Sequence, residues 1–278
     1  MARRSNPLPT IDDVAAAAGV STATVSRVLN RPDSVRDRLR SKVETAVARL
    51  GYVPHSGARS LMLRRTGTIG AVFPTVDNAI FAKAIDALQR RLTQAGYQLL
   101  IATSDYDVDA EMHQAVNLVT RGADALALCG YSQRPELLQF LRQRGLPCVH
   151  VMVCPGAAGT ICVGFDNAEA MAGAARYLID LGHRRVAMLA GIARNNDRAG
   201  ARIDGARRAL RAAGGDLPSG RVVERRYTLA EARDGMRELM ALKPRPTAVL
   251  CGNDVLAFGA QLEAQRLGLQ VPDRKSVV

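Results

Sequence analysis

The 278-residue sequence predicts two folds in tandem: a small all-α helix-turn-helix unit, then a larger α/β core of two Rossmann-like halves. Three observations carry this. Apolar residues recur at helical spacing up to about residue 50. From Gly67 onward short apolar runs alternate with amphipathic stretches, and basic charge gathers at the N-terminal end. Strands separated by helices call for right-handed βαβ units and a parallel sheet covered on both faces.

The N-terminal elements follow from their caps. Thr10 precedes a helical run with Asp13 three residues on, the spacing of a capping box. Val14, Ala15 and Ala18 recur at helical spacing, and Gly19 supplies the turn. Ser21 is the next N-cap, opening a helix from Thr22 to Asn30 with Val25, Val28 and Leu29 inward and Thr22, Ala23, Ser26, Arg27 and Asn30 outward. Small polar residues at a helix start, with an Arg one turn later, suit base reading in the major groove; an ordinary surface helical hairpin is the alternative. A third helix, from roughly residue 38 to 50, places Leu39, Val43, Ala46, Val47 and Leu50 on a core stripe. Residues 1–66 hold twelve Lys/Arg against five acids, a net of +7 within a chain total of +12. Clustered basic charge is the footprint of phosphate binding.

In the core, TIGAVF (68–73) reads as a strand and 79–95 as a helix with Phe81, Ile85, Leu88 and Leu92 on one face, ended by Gly96. YQLLIAT (97–103) is the next strand and 111–121 the next helix, and ALALCG, ELLQFLRQRG and PCVHVMV continue the alternation. A second set is expected to begin near Ile161 with ICVGF. It runs through a helix to Leu181, RRVAMLAG, a helix from about 198 to 213, RVVERRY, a helix from Leu229, TAVLCG and a helix over 255–267. Ligands of open α/β sheets bind outside the carboxyl ends of the strands, so the post-strand loops are the place to search.

TIDDVAAAAGVSTATVSRVLN and SVRDRLRSKVETAVARLGYVPH resemble the DNA-binding headpiece of the lactose/galactose/purine repressor family of bacterial transcription regulators, also called LacI/GalR. The match continues through ARSL and RTGTIGAVFP into a core similar to periplasmic sugar-binding proteins. The resemblance implies a headpiece over 1–53, a hinge over 54–66, and core subdomains over 67–164 and 165–278. It implies a homodimer on palindromic double-stranded operator DNA, cytoplasmic and nucleoid-associated, with a small-molecule effector (a sugar, sugar acid or related metabolite) between the core subdomains. Thr22, Ala23 and Arg27 sit where the family reads bases; Ser21, Thr24, Ser26, Asn30 and Tyr52 where it touches phosphates or supports docking. Ala58 and Leu61 fall in the hinge, where the family's Leu wedges between minor-groove base steps. His55 and Gly57 depart from the family's hinge. Arg36 replaces its usual Ser or Thr cap, so Ser34 or Asp37 is expected to cap the third helix.

Effector contacts are expected after strands. Asp77, Asn78 and Phe81 follow the first; Phe165 and Asp166 match the family's ligand-facing aromatic and its polar neighbour; Arg202 matches its ligand-binding Arg; Asn253 and Asp254 follow a later strand. Each also reads as a helix cap or a solvated loop charge. Met152 stands where many sugar-binding members carry Asp, which points to a sugar acid or other anion held by Arg202, with Arg194 or Arg198 nearby. VPDRKSVV resembles the family's VPDDVSVVGFDD cut off mid-strand, which implies that the second Rossmann-like subdomain is incomplete, so exposed apolar surface and weak dimerisation are expected.

No G-x-G-x-x-G follows a strand, and neither a P-loop nor G-x-S-x-G occurs, so no enzyme and no cofactor is expected. MARRSNPLPT lacks the apolar stretch of a signal peptide. No apolar run approaches the roughly 18 residues of a membrane span. Five Cys, mostly in strand-like runs, read as reduced thiols of the cytosol. Cys148-x-His150-x3-Cys154 fits no common zinc pattern, so no metal is expected. Two other readings stay open: a small-molecule-binding α/β protein without operator function, and a non-functional truncated regulator.

Overall fold

The structure, a computed structural model, describes residues 8–53, 65–154, 159–272 and 276–277. It divides into two units, Met1–Thr66 and Gly67–Val278.

The first unit contains α1 (Ile11–Ala18), α2 (Thr22–Asn30), a 3-10 turn (Pro32–Ser34) and α3 (Asp37–Leu50). The capping box forms as expected: the Asp13 N–H donates to Thr10 Oγ1 at 3.3 Å and the Thr10 N–H to Asp13 Oδ2 at 2.7 Å. Gly19, with φ +64°, ends α1 in the left-handed region. The Thr24 N–H donates to Ser21 Oγ at 3.2 Å, starting α2. Val14, Val25, Val28, Val43, Ala46 and Tyr52 close one small core. The cap of α3 differs from expectation. Ser34 ends the 3-10 turn and donates its hydroxyl to the Arg31 carbonyl at 2.7 Å, while Asp37 is the first helical residue. Arg36 therefore holds the cap position without a side-chain bond.

The second unit carries two parallel sheets. In the first, β1 (Thr68–Phe73), β2 (Gln98–Thr103), β3 (Ala125–Cys129), β4 (Cys148–Val151) and β5 (Ile161–Val163) lie in the order β2-β1-β3-β4-β5. Its helices are α4 (Ala79–Gln94), α5 (Val108–Thr120) and α6 (Pro135–Gln143). In the second, β6 (Val186–Gly191), β7 (Val222–Arg225), β8 (Ala248–Cys251) and β9 (Ser276–Val277) lie in the order β7-β6-β8-β9. Its helices are α7 (Asn167–Asp180), α8 (Asp197–Ala212), α9 (Leu229–Ala241) and α10 (Asp254–Arg266). Strand periodicity sorts the core. Val186, Met188 and Ala190 pack with α7 and α8, whereas Ala187 and Leu189 pack with α9 and α10.

Two expectations are corrected. ICVGF does not open the second half: β5 pairs with β4, His150 opposite Cys162, and completes the first sheet. A three-residue strand carries too little pattern to announce its partner. Helix α5 starts at Val108 rather than Glu111, because Asp107 Oδ1 accepts from the N–H groups of Asp109 (2.7 Å) and Ala110 (2.9 Å).

Candidate functional site

Helix α2 presents a free polar face. Thr22, Ala23, Arg27 and Asn30 are exposed, and Thr24 and Ser26 are partly so. Two of these side chains serve the helix itself: Thr24 Oγ1 lies 3.0 Å from Ser21 Oγ, and Asn30 Nδ2 donates to the Ser26 carbonyl at 2.8 Å. Ala23 and Arg27 stand one turn apart, the Arg guanidinium projecting from a helix whose N-terminal end carries small side chains. Tyr52 is only 9% exposed and belongs to the headpiece core. Ala58 and Leu61 lie outside the described residues.

In the second unit, loops at the carboxyl ends of β1, β2, β6 and β7 surround a cavity of about 560 Å³. Asp77, Asp105 and Asp107 line it from the first sheet; Arg194, Arg225 and Arg226 line it from the second. The walls thus carry opposite charge. Backbone N–H groups at the start of α5 hold the Asp107 carboxyl below its ordinary pKa, and Arg194 adds to this. Three L-residues on these loops adopt left-handed backbone: Asp105 (φ +48°), Tyr106 (φ +62°) and Asn195 (φ +57°). Such conformations cost energy and concentrate at functional sites.

Tyr106 and Tyr227 face each other from the two sides, ring centroids 6.3 Å apart. Burial pushes the Tyr106 phenol up. Asn196 Nδ2 donates to the Tyr227 hydroxyl and to the Ile192 carbonyl, both at 3.3 Å. A Cβ on Gly191 would lie 1.9 Å from the Tyr227 oxygen, so this ring takes its place only over a glycine.

Beside the cavity the loop after β3 meets the start of α8. Asp197 Oδ2 accepts from the Tyr131 N–H at 2.8 Å, and the Asp197 N–H donates to Ser132 Oγ at 3.0 Å. Asp197 also pairs with buried Arg198 at 3.0 Å, and Arg198 lies against Gly130. Behind it, burial raises the Glu111 carboxyl, which accepts a hydrogen bond from Gln133 at 3.2 Å.

The residues singled out from sequence are distributed unevenly. Asp77 and Asn78 line the cavity, and Asn78 also caps α4 by accepting from the Ile80 N–H at 3.0 Å. Arg194 lines it too, whereas Arg198 is engaged with Asp197. Phe81 packs in the core, its ring 5.8 Å from Phe73. Phe165 is half exposed, and Asp166 caps α7 through the Glu169 N–H at 2.9 Å. Asn253 caps α10 through the Leu256 N–H, and Asp254 accepts from the Val255 N–H, both at 2.9 Å. Arg202 is partly buried near Tyr227, Arg198 and Tyr106, and burial lowers its pKa. Asp105, Tyr106, Asn195 and Tyr227 also line the cavity and are not among the residues singled out from sequence. Their available signal was a polar loop shortly after an apolar run, with Asp or Asn at a position that tolerates left-handed backbone.

Among the described residues no group of His, Cys, Asp and Glu could hold a metal ion, and His150 Nδ1 donates to the Gly130 carbonyl at 2.9 Å. Among them, too, no helix is long and apolar enough to cross a membrane.

Comparison with known proteins places both units. Residues 10–55 match the family described as bacterial regulatory proteins, lacI family, and residues 66–277 match periplasmic binding proteins and sugar binding domain of LacI family. The transcriptional regulator GntR of Escherichia coli K12 is 32% identical over 269 residues, covering 97% of this chain and 80% of its own. The repressor PurR of Pectobacterium carotovorum is 34% identical, covering 98% and 80%. A crystal structure of the lac repressor dimer bound to operator and the anti-inducer ONPF superposes with a TM-score of 0.81 at 26% identity, covering 97% of this chain and 81% of that one.

Proposed function

We propose, on the premise that this chain belongs to the lacI family of bacterial regulatory proteins, that it represses transcription by reading operator DNA with α2 and releasing or tightening its hold according to a ligand in the core. It is a DNA-binding transcriptional regulator with a periplasmic-binding-like effector domain, and not an enzyme. The finer assignments rest on its own residues. Arg27 is the base-reading group, able to donate two parallel hydrogen bonds to a guanine, with Thr22 and Ala23 giving methyl contacts. Ser21, Thr24, Ser26 and Asn30 shape the phosphate side of the same helix, supported by Tyr52.

A homodimer places two such helices on half-sites about one turn of duplex apart, as palindromic recognition requires. The lac repressor structure, a dimer on operator, is an analogue for that arrangement. The segment 54–66, with Ala58 and Leu61, is proposed as the hinge between the DNA-binding unit and core subdomains 67–164 and 165–278. The site of action is the cytoplasm, on the nucleoid.

The effector is proposed to be a sugar acid or similar anion bound between the core subdomains. Arg194 and Arg226 line the cavity and Arg202 lies close to its Tyr106 and Tyr227, while Met152 provides no carboxylate to bind sugar hydroxyls. A ligand that favours one arrangement of the two sheets biases DNA binding by its difference in affinity for the two.

The observation that carries the reading is the free face of α2 on a unit of net charge +7. The test is in vitro selection of duplex DNA, followed by titration of the winning site and a scrambled one at several salt concentrations. A selected palindrome bound far more tightly than the scrambled duplex supports it; equal affinity, falling equally with salt, overturns it. Calorimetry with aldonic acids and neutral sugars tests the effector class. Tight binding of a neutral sugar and none of the acids overturns that part alone.

A further inference from the structure

Two of the five cysteines meet. Cys154, just beyond β4, and Cys162, in β5, bring their Sγ atoms within 3.1 Å, and no disulfide joins them. Both are partly exposed. The other three sit apart: burial pushes the thiols of Cys129 and Cys148 up to about 11 and that of Cys251 up to about 12, so they stay protonated at neutral pH. We propose that Cys154 and Cys162 form a peroxide-sensitive thiol pair, oxidised to an intramolecular disulfide at the point where the chain passes from the first sheet to the second.

The chemistry balances with hydrogen peroxide as oxidant. One sulfur, as thiolate, attacks a peroxide oxygen; the S–O bond forms, the O–O bond breaks, and hydroxide leaves to take up a proton as water. The second sulfur then attacks the resulting sulfenic acid; the S–S bond forms, the S–O bond breaks, and a second water leaves. Two thiols and one peroxide become one disulfide and two waters. The sulfurs need to approach by only about 1 Å to reach disulfide length. The hydrogen bond between the thiols holds the Cys154 pKa up, and the Tyr131 phenol interacts with the same pair.

The position gives the bond a consequence. Two passes of chain run side by side here: the Met152 N–H donates to the Val163 carbonyl at 2.9 Å and the Cys154 N–H to the Phe165 carbonyl at 3.2 Å. The first residue of α7, Asn167, grips both, its Nδ2 donating to the Met152 carbonyl at 3.1 Å and to the Phe165 carbonyl at 3.4 Å. A Cβ on Gly164 would fall 2.3 Å from the Val153 nitrogen, so the passes are already in contact. A disulfide would fasten these two passes covalently at the end of the first sheet.

The test treats the fully reduced chain with hydrogen peroxide, alkylates the remaining thiols, and maps the peptides by mass spectrometry. The expected product has lost two hydrogens, carries alkyl groups on Cys129, Cys148 and Cys251 only, and returns to five alkylated thiols after dithiothreitol. Cys154→Ser and Cys162→Ser each abolish the cross-link, and Cys148→Ser leaves it. Alkylation of all five cysteines after peroxide, a cross-link between any other pair or between two chains, or over-oxidation of one sulfur without a cross-link overturns the proposal. None of these readouts depends on DNA or effector binding.

Discussion

Asp197 and Tyr131 are 66 residues apart in sequence, yet Asp197 Oδ2 accepts the Tyr131 N–H at 2.8 Å. The bond joins the loop after β3 to the first turn of α8, and so ties one sheet of the core to the other. Each sheet reverses its strand order at this level, between β1 and β3 in one and between β6 and β8 in the other. The chain fills that crevice partly with its own side chains: Arg198 pairs with Asp197 and occupies the space a Cβ at Gly130 would need. Replacing Asp197 by Ala strands a guanidinium whose side chain is 7% exposed and removes the acceptor of the Tyr131 N–H. The expected loss is about 3 kcal/mol in urea denaturation, the scale for breaking one side of a buried pair. Asp197→Asn keeps an acceptor oxygen and should lose less. A midpoint unchanged in the alanine variant would show that this tie carries no stability.

Arg27 offers a cleaner separation of stability from recognition. Its side chain is exposed on α2 and takes no part in the headpiece core. Arg27→Ala should leave thermal unfolding unaltered and weaken binding to the selected DNA site by about 1–3 kcal/mol, with preference relaxed at one base pair. Fluorescence anisotropy on selected and scrambled duplexes decides it. An equal loss on both would make Arg27 a phosphate contact instead.

Helices α1 and α2 are legible residue by residue because helix ends are written in side-chain chemistry. Thr10, Asp13, Gly19 and Ser21 each satisfy or release particular backbone groups, and no distant partner can change that. The α/β alternation is legible for a similar reason, since burial on both sheet faces forces apolar runs. The cavity walls are harder. Asp105, Tyr106 and Asn195 are set by left-handed backbone, and Tyr227 by a gap over Gly191, neither of which has a sequence period. Phe81 shows the limit from the other side. Helical spacing places it inward, but only the tertiary fold distinguishes a core position against Phe73 from a ligand-facing one. Asn253 meets both descriptions that sequence offered, following a strand and capping a helix.

The capping box gives a local prediction. Thr10→Ala removes the acceptor for the Asp13 N–H, and the first turn of α1 frays. A loss of about 1 kcal/mol is expected for the N-terminal unit, read from amide exchange of residues 11–18, while exchange in the core strands stays unchanged. Unaltered protection in α1 would show that the Asp13 carboxylate, still bonded to the Thr10 N–H, suffices alone.

Glu263 provides the pH prediction. Its side chain is completely buried, and three arginines close over it: Arg233 Nε and Arg237 Nε at 3.0 Å, and Arg266 Nη2 at 2.6 Å. Hydrogen bonds from Arg266, aided by Arg233 and the surrounding positive charge, outweigh burial and hold the carboxyl down at about 2, against 4.5 for an unperturbed group. The native state therefore binds this proton more weakly than the unfolded chain does. Its contribution to stability is complete above pH 4.5 and disappears as the pH falls toward 2. Glu263→Gln should accordingly unfold at lower urea than the parent near neutral pH, and the two midpoints should converge in acid. Other carboxylates titrate over the same interval, but they are common to both chains and cancel in the difference. A gap between the midpoints that stays constant down to pH of about 2 would mean that the charge on Glu263 contributes nothing and that only its shape matters.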